Sequence, residues 1–122
     1  MKPDFKRLDH IQICIPKGKE DVAKNFYIGT LGLKEIPKPE YLKANGGFWL
    51  EIADIQLHIG VEQVIHQSKR HPAFEVGNLE KAKVYLKKND VKIKEDRPLP
   101  GYNRCSIFDP FGNRIELLGK LP

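Results

Sequence analysis

The sequence predicts an α+β fold made of two βαβββ modules whose mixed sheets together line a curved cup. The first observation is an internal repeat. His10 and His71 each open a short apolar strand, and a helix-like stretch and further strand-like runs follow each of them. The second observation is that His58 lies 48 residues after His10 and Glu116 lies 45 after His71, near the end of each repeat. Repetition of this kind indicates two copies of one supersecondary unit within a single domain, residues 1–122.

The first module, about residues 6–61, opens with a strand at 8–15. Its isoleucines alternate with polar positions, so they form one face, and His10, Gln12 and Cys14 form the other. A solvent-facing surface would be expected to carry charged residues. An uncharged polar face instead suggests side chains that line a cavity.

A helix and three more strands complete this module. Val22/Phe26 and Ala23/Tyr27 repeat at i,i+4 and predict the buried stripe of the helix. Gly32 is a plausible stop for that helix. Asn45-Gly46-Gly47 is a strong turn signal before the last two strands, where alternation places His58 on a polar face, as it does His10. The predicted bounds are 19–31 for the helix, and 33–36, 48–53 and 55–61 for the strands.

The second module, about residues 71–119, repeats this order after a polar linker at 62–70. Asn78 can cap its helix, in which Leu79, Ala82 and Leu86 form the apolar stripe. A loop at 97–102 precedes the last two strands, and the D-P-F-G-N segment at 109–113 turns between them. The predicted bounds are 79–88 for the helix, and 72–76, 91–95, 104–108 and 114–118 for the strands.

Four side chains of metal-binding type stand at the first and last strands of the two modules. Histidine and carboxylate are the donors of divalent-metal sites that keep open coordination positions. Glu116 lies on an otherwise apolar strand, so it must face solvent, pair with a cationic group or bind a cation. A single strand histidine is more often a hydrogen-bonded structural residue, and His66, in the linker, is predicted to be an exposed one. The candidate ligands are His10, His58, His71 and Glu116.

Composition favours an ordinary globular protein. The 122 residues carry a net charge of +5, but the basic residues are scattered among acids without aromatic interleaving, which argues against a nucleic-acid surface. No apolar run approaches the ~20 residues of a membrane helix, and the start lacks a secretory pattern. Cys14 and Cys105 belong to no C-x-x-C pair and are expected to be reduced. A cytoplasmic location is therefore expected.

Four stretches resemble the vicinal oxygen chelate superfamily, which includes glyoxalase I, fosfomycin-resistance transferases, bleomycin-binding proteins and extradiol dioxygenases. These are L-D-H-I-Q-I, F-Y-I-G-T-L-G-L, H-P-A-F-E-V and D-P-F-G-N-R-I-E-L. Together with the repeated βαβββ order they cover nearly the whole chain, and the closing motif is the most specific.

The resemblance implies a divalent metal (zinc, nickel, manganese or iron) held by His10, His71 and Glu116. Glyoxalase I adds a fourth ligand, usually glutamate, on the last strand of the first module, where this chain has the neutral His58. This departure argues against a conventional glyoxalase I, and His58 is a fourth ligand, a support for the ligands or a substrate contact. The resemblance also implies a homodimer in which His10 and His58 come from one chain and His71 and Glu116 from its partner. Glu116 would be both a ligand and a catalytic proton carrier. The residues expected to contact a small-molecule substrate are Gln12, Trp49, Tyr102 and Arg104.

Two classes of function follow from this resemblance. The first is a metal-dependent lyase, isomerase or thiol transferase acting on a small oxygen-chelating molecule. A ring-cleaving dioxygenase fits less well, because those enzymes resemble a longer, duplicated version of the fold. The second is a sequestering protein of the bleomycin-resistance type, with an aromatic groove drawn from Phe48, Trp49 and Phe111, of which at least two are expected to pack in the core instead. The retained histidines and glutamate favour the enzyme.

Overall fold

Residues 1–63 and 66–122 are described in a computed structural model, and the chain divides into two compact units, Met1–Val64 and Ile65–Pro122. Each unit is a βαβββ module with one four-stranded mixed sheet. The predicted α+β class and the two modules are therefore confirmed, while the grouping of both modules in a single domain stays a prediction. No helix in the described residues is long and apolar enough to cross a membrane.

In the first unit, strand β1 is parallel to β4, and the other strand pairs are antiparallel, in the order β1-β4-β3-β2. The elements are β1 His10–Pro16, α1 Glu20–Lys24 with a π-helical continuation Asn25–Thr30, β2 Lys34–Ile36, a 3-10 helix Glu40–Asn45, β3 Phe48–Ile52 and β4 Ile55–Glu62.

The apolar positions that alternate along these strands form the core of the first unit. Ile15 and Leu50 have no exposed surface, and neither do Ala23 and Tyr27 of the helical segment. Val22, which we expected in the buried stripe, is 44% exposed, so that part of the prediction was wrong. The buried stripe runs instead through Ala23, Phe26 and Tyr27, and Val22 lies at its solvent-facing edge.

The second unit has the same topology, in the order β5-β8-β7-β6 with β5 parallel to β8. Asn78 caps its helix as predicted, accepting the Lys81 N–H over 3.0 Å. Its elements are β5 Ala73–Glu75, α2 Leu79–Lys88, β6 Lys92–Glu95, β7 Tyr102–Phe108 and β8 Arg114–Lys120.

The D-P-F-G-N segment is a tight turn organised by one carboxylate. Asp109 accepts hydrogen bonds from the backbone N–H groups of Phe111 (2.9 Å) and Asn113 (2.8 Å), and from the Asn113 side-chain amide (2.8 Å). Asp109 is buried, so these bonds compensate for its desolvation. The most specific part of the closing motif is therefore structural, since it fixes where β8 begins and hence where Glu116 lies.

The predicted boundaries differ from the observed ones mostly by one or two residues. Tyr102, which we assigned to the loop before β7, is its first residue, and Glu62, which we assigned to the linker, is the last residue of β4. The 3-10 helix Glu40–Asn45 was not predicted at all. The predicted linker at 62–70 includes residues 64 and 65, which lie outside the described residues.

Candidate functional site

The polar face of the first sheet carries four of the predicted site residues. His58 on β4 is in register with Gln12 on β1 and with Trp49 on β3, so the three side chains form a row across the sheet. His10, two residues before Gln12, lies on the same side of β1. The prediction that His10 and His58 share a face is confirmed, since their rings are in contact.

Three aromatic rings are stacked on this face. The Trp49 and His58 ring centroids are 4.0 Å apart with 2° between the planes, and the His58 and His10 centroids are 4.0 Å apart with 18° between them. His58 is therefore covered on both faces and is only 6% exposed. Burial, followed by repulsion from the neighbouring His10, holds the pKa of His58 below its ordinary value of 6.5.

Below pH ~6.5, we expect the metal-free protein to lose stability as the pH falls, because the unfolded chain then takes up a proton at His58 that the folded chain resists. This contribution is complete above the unfolded-state pKa and declines towards the lower folded-state pKa. The measurement is urea unfolding at several pH values between 8 and 5 for the wild type and for His58→Phe, which keeps a ring in the stack. The wild type should lose stability relative to His58→Phe below pH ~6.5, and parallel pH profiles would contradict the assignment.

His10 is oriented by its neighbour in the chain. Its Nδ1 lies 2.9 Å from Oδ2 of Asp9, and this hydrogen bond is the main reason that the pKa of Asp9 is lowered. A carboxylate only accepts hydrogen bonds, so Nδ1 carries the proton, and Nε2 of the neutral ring presents a lone pair. A carboxylate behind a histidine in this way is the usual support of a metal-binding imidazole.

The second unit holds the other pair of predicted ligands. Nε2 of His71 lies 3.3 Å from Oε1 of Glu116, and Nη1 of Arg104 lies 3.2 Å from the same oxygen. Nε of Arg104 also donates to the Arg97 carbonyl over 2.7 Å, which fixes the guanidinium. The Glu116 side chain is only 6% exposed, so Arg104 compensates part of the cost of burying its charge.

The proton positions around His71 leave two acceptors facing each other. Nδ1 lies 2.7 Å from the Lys69 carbonyl oxygen, which only accepts, so Nδ1 is the donor. In the neutral ring the lone pair of Nε2 then faces the Glu116 carboxylate at 3.3 Å. That contact is favourable when a proton lies between the two atoms, on either of them, or when a cation is shared between nitrogen and oxygen.

The donor set fits a divalent metal, but each unit by itself supplies only part of that set. Two donors on one ion, each at about 2.0–2.1 Å, lie roughly 3–3.4 Å apart, and the His71–Glu116 separation matches this. Within either unit, the described residues include no group of three or more His, Cys, Asp or Glu side chains able to hold a metal. The second unit by itself therefore offers a pair of donors, His71 with Glu116, and the first unit offers His10, with His58 stacked on it.

The remaining predicted residues occupy different roles. Gln12 is exposed and presents a polar surface beside the ring stack. Trp49 is half-buried and presents an aromatic surface as part of that stack. Arg104 is held by Glu116, and Tyr102 is a half-buried residue two positions earlier on the same strand. Sequence reasoning missed Asp9, although the L-D-H stretch contained it, and Gln56, whose Oε1 lies 2.9 Å from Nε2 of His58.

Comparison with known proteins agrees with this architecture. The crystal structure of a putative glyoxalase family protein from Bacillus anthracis is 41% identical, with a TM-score of 0.92, and the match covers 99% of this chain and 100% of that one. A lactoylglutathione lyase from Agrobacterium tumefaciens (15% identity, 95% of both chains, TM-score 0.76) and a glyoxalase family protein from Enterococcus faecalis (23%, 93% of this chain and 98% of that one, 0.75) share the fold.

A search of curated proteins gives no significant match. The sequence model of the Glyoxalase/Bleomycin resistance protein/Dioxygenase superfamily, by contrast, matches residues 7–117, which is nearly the whole chain. The chain therefore belongs to this superfamily.

Proposed function

We propose that the protein is a divalent-metal-dependent enzyme of the glyoxalase and fosfomycin-resistance type, a lyase, isomerase or thiol transferase acting on a small oxygen-chelating molecule in the cytoplasm. The observation that carries this proposal is the pair of opposed acceptors, Nε2 of His71 and Oε1 of Glu116, 3.3 Å apart. His10 supports it independently, because its Nδ1 is likewise bound by an acceptor and its Nε2 is left to coordinate.

The proposed ligands are His10, His71 and Glu116. His58 would reach an ion only through Nδ1, because its Nε2 is hydrogen-bonded to Gln56 and both faces of its ring are covered. We therefore assign His58 mainly to positioning: its ring supports one face of His10, and the Asp9 carboxylate holds the edge of the same ring. Such supporting contacts set the orientation of a metal-binding imidazole.

A complete ligand set needs one half from each module, and we propose that a homodimer supplies it. One protomer would contribute His10 and its partner would contribute the His71–Glu116 pair. This arrangement agrees with the absence of a three-donor group within either unit in the part of the chain that the structure describes. Dilution of the dimer should then reduce metal affinity, because the ligands of each ion separate.

A metal bound at these residues would supply a Lewis acid for a carbonyl, enolate or epoxide oxygen of the substrate. The chain's own residues would do the rest. Glu116, buried and held by Arg104, would carry a proton to or from the substrate atom next to the metal. Arg104, which is itself held by the Arg97 carbonyl, would fix the position of that carboxylate. Gln12 and Trp49 would contact the substrate from the first sheet.

The test is the metal content of protein purified without a histidine tag. We expect about one divalent ion per chain after loading with Mn²⁺, Ni²⁺, Zn²⁺ or Fe²⁺, and weaker loading below pH ~6, where imidazole protonation competes with coordination. Less than about a tenth of an ion per chain with every metal would instead favour a sequestering protein of the bleomycin-resistance type. Trp49, which is half-buried at the end of the ring stack, would contact the ligand of such a protein.

A further inference from the structure

A second polar site lies in the unit that carries Glu116. The end of the linker and the turn between β7 and β8 form a small open cleft, which we call the basic cleft. Its cavity volume is about 30 Å³, far below the roughly 300–1,000 Å³ of sites for whole drug-sized ligands, so it has room for one small polar group only. The cleft is lined by His66, Gln67, Ser68, Arg70, Asn113 and Arg114.

The charge of the basic cleft is positive. Two arginines line it and none of its described lining residues is a carboxylate. Asp96 lies 3.7 Å from Nη2 of Arg114 and offsets part of that charge, while Nε of Arg114 donates to Ser106. Arg70 makes no ion pair with any of the described residues, so its guanidinium remains uncompensated. An anion is the ligand that this balance favours.

Hydrogen-bond donors other than the arginines also surround the cleft. The Ser68 hydroxyl oxygen accepts the Arg70 backbone N–H over 3.2 Å, which leaves its own hydrogen to be donated. The Gln67 side-chain amide donates to the Phe111 carbonyl over 3.5 Å. A Cβ added at Gly112 would lie 2.3 Å from the nitrogen of that amide. A side chain at position 112 would therefore displace Gln67 from the wall of the cleft.

The basic cleft adjoins the proposed metal ligands in the same unit. Arg70 immediately precedes His71, and Arg114 lies two residues before Glu116 on β8. Residues two apart on a strand share a face and are separated by about 6.5 Å. We propose that the basic cleft is an anion subsite that takes one carboxylate or phosphate group of the substrate. This inference rests on the proposed function, because it defines the substrate class of that site as anionic.

The test is titration of metal-free protein with inorganic phosphate and, in a separate arm, with acetate, followed by amide chemical shifts at constant ionic strength. We expect saturable shifts around residues 66–70 and 112–114, and the tighter of the two anions identifies the group. Arg70→Gln should weaken binding about tenfold, in line with the loss of a charge-assisted hydrogen bond. Lys88→Gln is the control: it removes one positive charge from an exposed side chain at the end of α2, outside the cleft, and binding should not change.

Equal losses in Arg70→Gln and Lys88→Gln, or shifts that do not saturate with either anion, would overturn the anion subsite. Failure of the metal proposal is distinguishable from this result. Glu116→Gln should leave phosphate binding by the metal-free protein intact, and Arg70→Gln should leave the metal content per chain intact. Anion binding without metal loading would support the anion subsite and reject the metal-dependent enzyme. Metal loading without anion binding would support the metal site and reject the anion subsite.

Discussion

Replacement of Glu116 by Gln is expected to lower divalent-metal affinity by at least about 100-fold. Loss of an outer-shell partner already costs 10–100-fold in metal affinity, and this substitution removes a charged donor that we assign to the ion itself. The fold should survive, because a glutamine amide oxygen can still accept from Arg104 in the place of Oε1. We expect a loss of about 1–3 kcal/mol in the free energy of unfolding, since Arg104 remains partly buried without its counter-charge. Calorimetric titration with Mn²⁺ or Ni²⁺ measures the effect.

Two matched controls make this experiment specific. Glu75→Gln removes the same charge from an exposed strand residue of the second unit and should leave metal affinity unchanged. His71→Ala should reproduce the loss of metal affinity seen in Glu116→Gln. His66→Ala should not, because His66 lines the basic cleft and is not one of the proposed ligands. Similar affinities for Glu116→Gln and Glu75→Gln would remove Glu116 from the ligand set.

The fold was predictable because its two modules share one order of local signals. Strand alternation, the Asn78 cap and the turn glycines are features of short segments, and they gave the correct element types in both halves. The errors arose where local signals were weak or were overridden. The Glu40–Asn45 3-10 helix has no apolar period, and Val22 is exposed although its i,i+4 spacing to Phe26 is regular.

The candidate site was predictable only as residue types on faces. Alternation placed His10 and His58 on one side of a sheet, but it carries no information on ring stacking or on which nitrogen is protonated. Those properties come from Asp9 and from the Lys69 carbonyl, which is a backbone atom that no sequence pattern identifies. Arg104 was expected to contact the substrate. In the structure it contacts Glu116, and that contact depends on the pairing of β7 with β8. Side-chain partners across strands require the register, which the sequence supplies only approximately.

Gly47→Ala is expected to destabilise the first unit by about 3 kcal/mol more than Gly18→Ala. Both glycines have φ of +79°, so alanine is strained by about 1–2 kcal/mol at either position. At Gly18 a Cβ would meet nothing within 4 Å, whereas at Gly47 it would stand 2.0 Å from the Ile59 carbonyl oxygen. That oxygen belongs to the backbone of β4, which cannot move aside as the end of a side chain can.

The backbone of β3 or β4 must therefore shift at the Phe48–Ile59 pair, which disturbs strand pairing and the packing of two buried side chains. The shift would also displace Trp49, which is next to Phe48 and stacks on His58. Urea unfolding followed by fluorescence of Trp49, the single tryptophan of the chain, measures both effects. Gly47→Ala should show a lower midpoint and an altered native emission, while Gly18→Ala should show only a small decrease in the midpoint. Equal midpoints in the two variants would mean that the close approach of Gly47 to β4 contributes nothing to stability.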